Sequence, residues 1–72
     1  MTELYTVKEV SQILNVNVHR VYDLIKAGLL PALKLGSLKV RREALQKFLV
    51  DYEGFDLTDL NNIVKIDLNN IS

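Results

Sequence analysis

At 72 residues the chain has room for one domain, and a fold of that size buries only about 60% of the surface its unfolded chain exposes, so the core is thin. The absence of cysteine excludes a disulfide framework and a thiolate metal site, and a lone His19 fails a zinc site on ligand count. The formal charge of zero is unevenly divided: residues 1–50 carry eight Lys/Arg against four Asp/Glu, and residues 51–72 carry one against five. A surface for a polyanion is therefore to be sought in the first fifty residues.

Glu3, Lys8 and Glu9 interrupt the first fourteen residues, which lack the apolar core of a signal peptide, and no run approaches the roughly 18 apolar residues of a membrane span. The expectation is a soluble, cytoplasmic protein with no membrane partner. Thr6 and Glu9 predict the start of a first helix through a capping box, with Tyr5 and Val10 at the positions of a hydrophobic staple. Val7, Val10, Ile13 and Leu14 then share an apolar face. Asn15 suits a left-handed residue after that helix, Val16 an apolar plug, and Asn17 the N-cap of a second helix running to about Ala27. On that second helix Val21, Leu24 and Ile25 form the core side, while His19, Asp23 and Lys26 point away, flanked by Arg20 and Tyr22. Gly28 ends it with Leu29 or Leu30 able to pack back, and Pro31 forbids continuation.

Gly36-Ser37 suits a two-residue type II′ hairpin turn. Pairing Leu35 with Leu38 would put Leu33 and Val40 on one face and both Lys34 and Lys39 on the other, an oily side and a basic side. A third helix of about Arg42 to Glu53 carries the stripe Ala44, Leu45, Phe48, Leu49 and Tyr52. Gly54 would end it, with Phe55 touching Val50 in a Schellman-type stop. Residues 1–54 thus form one domain, and residues 55–72 form an acidic tail, partly disordered or contributing an edge strand through Val64, Ile66 and Leu68. Asn61-Asn62 and Asn69-Asn70 are turn or disorder signals. The fold class is mainly α with a small β-hairpin: a winged helix-turn-helix of three helices plus a two-stranded wing.

Tyr5-Thr6-Val7-Lys8-Glu9-Val10, Leu14-Asn15-Val16-Asn17 and Val21-Tyr22-Asp23-Leu24-Ile25-Lys26-Ala27-Gly28 occur in an order that resembles the excisionase-like and MerR-like DNA-binding family. Lys34-Leu35-Gly36 and Val40-Arg41-Arg42-Glu43-Ala44-Leu45 through Phe48-Leu49 continue the match, which covers about Leu4 to Tyr52. The resemblance implies a double-stranded DNA partner and a role as a recombination directionality factor or small transcription regulator of a phage or mobile element. Three positions depart from the family's pattern. Asn15 stands where glycine is usual, the hairpin is about one residue shorter, and Asp23 occupies a site where a basic residue is frequent.

In such motifs the second helix presents side chains to base edges and flanking groups grip phosphates. The candidates on the recognition helix are Asn17, His19, Arg20, Tyr22, Asp23 and Lys26. Arg20 leads, because its planar fork can read guanine O6 and N7, a contact worth about 1–3 kcal/mol of discrimination. Asp23 either accepts from cytosine N4 or orients Arg20 and Lys26, and Tyr22 either donates to a phosphate or caps the core edge. The competing reading is a solvated face tied by pairs among Arg20, His19, Asp23 and Lys26. Lys34, Lys39, Arg41 and Arg42 are the wing and backbone candidates, with hairpin lysines as a guard against edge aggregation the alternative. Lys8 and Lys47 read as ordinary surface lysines.

Catalysis has no support: Ser11, Ser37 and Ser72 lack a base partner, and the three glycines are too dispersed to cradle a phosphate. No cofactor, metal or small-molecule substrate is expected. A single small module covers only about 600–1,000 Å² of DNA, so cooperation with adjacent copies or with a recombinase is implied. The alternative function is a protein-interaction module that uses the apolar tail without touching DNA.

Overall fold

The computed structural model describes residues 3–66. Its elements run β1 (Leu4–Thr6), α1 (Val7–Leu14), α2 (Val18–Lys26), β2 (Leu33–Leu35), β3 (Ser37–Arg41), α3 (Arg42–Asp51), β4 (Phe55–Asp56) and β5 (Val64–Lys65). Three helices and the β2–β3 hairpin give the winged helix-turn-helix that the sequence predicts. The sheet has a third strand: β1 pairs antiparallel with β3, in the order β1-β3-β2.

Each helix boundary follows from local chemistry. The Thr6 hydroxyl accepts from the Glu9 N–H at 3.0 Å and the Thr6 N–H donates to Glu9 Oε1 at 2.9 Å, the reciprocal capping box. Asn15 is left-handed at φ 56°, and the Val16 and Asn15 N–H groups donate back to the Ser11 and Gln12 carbonyls, a Schellman stop without glycine. Asn17 then caps α2 by accepting from the Arg20 N–H at 2.8 Å. Gly28 at φ 78° closes α2 the same way, with the Leu29 and Gly28 N–H groups donating to the Leu24 and Ile25 carbonyls. Leu30 packs back into the core at 1% exposure.

Val7, Val10, Val21, Leu24, Leu30, Val40, Leu45 and Phe48 form one buried cluster drawn from all three helices, the α2–β2 loop and β3. At about 1.5–3 kcal/mol per fully buried aliphatic or aromatic side chain, these eight supply most of the drive to fold. The α1 stripe is rotated from the sequence expectation: Ser11 is buried, its hydroxyl donating to the Lys8 carbonyl at 2.6 Å, while Ile13 is 49% exposed. At 100° per residue Ile13 lies over 90° from the Val7–Leu14 side, whereas Ser11 sits within it.

The hairpin differs in register. The Cα partners are Leu33↔Lys39, Lys34↔Leu38 and Leu35↔Ser37, with the chain reversing about Gly36 at φ 76°. This is one residue away from the Leu35–Leu38 pairing expected, and a one-residue slip sends alternate side chains to the other face. Val40 and Leu38 point to the helices with Tyr5 of β1 beside Val40. The outer edge strand β2 has little burial to gain from its own alternation, and Leu33 and Leu35 are left exposed. The oily-side, basic-side division is therefore overturned: Lys34 and Lys39 lie on opposite faces.

The third helix ends at Asp51, two residues before the expected Glu53. Gly54 at φ 88° belongs to the turn closed by the Phe55 N–H and the Tyr52 carbonyl. Phe55 stacks edge-on against Tyr52 at 6.2 Å, and Val50 is 70% exposed, so no Phe55–Val50 stop forms. Beyond it β4 and β5 pair as a short hairpin, Phe55↔Lys65 and Asp56↔Val64, with Leu57 and Leu60 of its loop packed against the core. The expected edge strand is thus Val64–Lys65; Leu68 and Asn69-Asn70 lie outside the described residues. Among the described residues no helix is long and apolar enough to cross a membrane.

Candidate nucleic-acid interface

The α2 helix is held by Val21 and Leu24, both buried, and packs against α1, which leaves its opposite side free. His19, Tyr22 and Lys26 are exposed there. His19 Nε2 lies 3.7 Å from Asp23 Oδ2 one turn on. Asp23 therefore pairs with His19 and does not orient Arg20 or Lys26, because both of those lie too far from its carboxylate for an ion pair among the described residues. Asn17 is committed to its cap.

Arg20 is turned away from that free side. One guanidinium nitrogen donates to the Leu57 carbonyl at 2.8 Å and also to the Thr58 carbonyl, both in the loop of the C-terminal hairpin. The residue expected to read guanine is thus engaged within the chain, 37 positions away in sequence. Arg20, Asp23 and Lys26 line a groove whose other wall is Thr58, Asp59, Leu60 and Asn61. Sequence reasoning had no signal for this contact, since backbone carbonyls carry no residue-type signature; only the apolar spacing of Leu57 and Leu60 hints that the segment packs.

On the sheet, Lys34 and Lys39 occupy opposite faces and neither has an ion-pair partner within 4 Å among the described residues. Lys39 is half-buried, and its charge, after the two Thr6 hydrogen bonds, helps hold the Glu9 carboxyl below its ordinary range. Arg41 pairs with Glu43 at 3.6 Å and Arg42 with Glu3 at 3.8 Å, all four side chains about half exposed. Exposed pairs of this kind contribute only about 0–1 kcal/mol, so both arginines can exchange a carboxylate for a phosphate. Lys47 is tied to Asp51 at 2.8 Å, which raises its pKa and keeps it an ordinary surface pair. Among the described residues no three His, Asp or Glu side chains cluster as metal ligands.

The arrangement offers cations on α2 and on the sheet, and among the described residues no buried titratable pair suited to proton transfer. A family model described as a helix-turn-helix domain matches residues 4–49, from β1 into α3. A Bacillus subtilis (strain 168) protein carrying the name Uncharacterized protein YvgK is 44% identical over 48 residues, which is 65% of this chain and 16% of the relative. The chain therefore spans a small fraction of that relative's length. No solved structure matches.

Proposed function

Because the chain belongs to the helix-turn-helix domain family, we propose that it binds double-stranded DNA with α2 in the major groove and the β2–β3 hairpin on the backbone. The observation that carries this reading is the outward side of α2, capped at both ends, fastened from below by Val21 and Leu24, and presenting His19, Tyr22 and Lys26 to solvent. His19 and Lys26 would meet base edges, and Tyr22 would donate to a phosphate. Lys34, Lys39, Arg41 and Arg42 supply the sequence-independent attraction, which releases counterions and so weakens with salt. Arg20 joins the base-reading set only when its tie to the C-terminal hairpin is broken. The chain acts as a binding module and not as an enzyme.

In the organism such a module would serve as a recombination directionality factor or as a small transcription regulator. Bent or looped product in a gel shift favours the first, and repression of a promoter reporter the second. One small module covers about 600–1,000 Å² of DNA, so adjacent copies or a recombinase would add the affinity that one copy lacks.

The test is selection from random duplex pools at two salt concentrations, with wild type, a His19→Ala/Lys26→Ala variant and a Lys34→Ala/Lys39→Ala variant. The helix variant is expected to relax sequence preference, and the hairpin variant to lower affinity for all sequences and flatten the salt dependence. Absence of duplex binding by folded wild type at low salt rejects the reading. It would favour a protein-interaction module working through the exposed Val64 and Ile66.

A further inference from the structure

We propose that the β4–β5 hairpin is a strap latched onto α2 by Arg20, and that it holds the chain in a low-affinity state which duplex DNA must open. This rests on the DNA-binding reading above and adds a regulation to the same site.

Three observations meet at the latch. The half-buried Arg20 guanidinium donates to two consecutive carbonyls, Leu57 and Thr58, so a potential base or phosphate ligand is occupied. Leu57 packs against the core and lines a groove with Leu24 of α2 and Phe48 of α3, which seats the strap along the flank of the helix. The strap also brings Asp59 to the groove it shares with Lys26 and Asp23. Asp56 and Asp59 accept backbone N–H groups of their own loop, from Thr58 at 2.9 Å and Asn61 at 3.0 Å. Both side chains belong to the strap, and carboxylates there repel phosphates that come within a Debye length of about 8–10 Å.

The strap is built to open. Its ladder is two residue pairs plus the Ile66 N–H to Gly54 carbonyl bond at 2.9 Å, and a two-stranded hairpin of that length is marginal in water. In exchange for two neutral carbonyls, duplex offers Arg20 an anionic phosphate, which adds ion-pair attraction to hydrogen bonds that the guanidinium charge already assists. Opening is thus uphill alone and downhill on DNA. The apparent dissociation constant is the open-state value divided by the open fraction.

The experiment uses the full chain and a fluorophore-labelled mixed-sequence duplex at low salt. Two variants favour the open state without touching a DNA ligand: Leu57→Ser/Leu60→Ser removes the apolar anchors of the closed state, and Asp59→Asn removes a strap carboxylate. Each is expected to bind duplex more tightly than wild type, by about threefold to tenfold for the first, the gain in open fraction. Unchanged or weaker binding by folded Leu57→Ser/Leu60→Ser overturns the strap and leaves the DNA reading standing. If no variant and no wild type binds duplex, both fall. Hydrogen exchange on wild type decides independently of variant folding. The Ile66 amide, which donates to the Gly54 carbonyl across the strap, should lose protection at saturating duplex, and retained protection overturns the proposal.

Discussion

Lys34 stands opposite Leu38 across the β2–β3 hairpin, while Lys39 stands opposite Leu33, so the two lysines project from opposite faces of the sheet. Lysines on opposite faces of a ribbon can touch two different phosphates but cannot clamp one between them.

From this follows an additive salt response. Lys34→Ala and Lys39→Ala should each flatten the slope of log affinity against log salt by about one, and the double variant by about two. Sites that share no partner add in this way. Titrations at four salt concentrations check it; a double variant no flatter than either single one would contradict it.

Acid should attack the start of α1. The Thr6 N–H, then the Thr6 hydroxyl and more weakly the Lys39 charge, favour ionised Glu9 and lower its pKa in the fold. A carboxyl depressed in the folded state contributes stability that is complete above the ordinary glutamate range and is lost as pH falls through the lowered value. Thermal midpoints from neutral pH to about pH 3 should therefore fall less steeply for Glu9→Gln than for wild type. Asp56, lowered by its bonds to Thr58, adds to the fall in both proteins and cancels in the comparison. Thr6→Ala should cost about 1 kcal/mol at neutral pH by loss of the cap.

Gly28 tests backbone conformation without packing. At φ 78° a Cβ would meet nothing within 4 Å, so Gly28→Ala should cost about 1–2 kcal/mol by left-handed strain alone. Gly28→Asn should cost less, since Asn15 already holds φ 56° in the equivalent stop after α1. Equal losses for the two substitutions in thermal melts would refute the strain account.

Leu30 and Ile13 separate the core from its border. Leu30→Ala at 1% exposure should cost about 2–5 kcal/mol, enough to unfold much of a domain this small. Ile13→Ala, at 49% exposure, should fall within about 0.5 kcal/mol of wild type in urea denaturation.

Local chemistry was legible in the sequence and non-local chemistry was not. Thr6, Asn15, Asn17 and Gly28 each mark a helix boundary by a bond or a dihedral that involves neighbours within five residues, and all four stand where their residue types predict. The hairpin register was not legible. It depends on which face of β3 the helices cover and on β1 pairing along its other edge, and Leu33 and Leu35 do not bury enough surface to enforce their own alternation. Within the candidate site, the free side of α2 follows from helical periodicity. The commitment of Arg20 depends on a chain reversal 37 residues later that no local pattern announces.

Leu4, Tyr5 and Thr6 serve at once as a strand of the sheet and as the lead-in to α1, with no intervening loop. Sheet and helix pair are consequently welded by a single residue, and the pitch of one against the other has no hinge through which to adjust. A duplex that met α2 and the hairpin together would have to supply the accommodation itself. Easily deformed base steps would then be favoured between the two points of contact, even where no side chain reaches them.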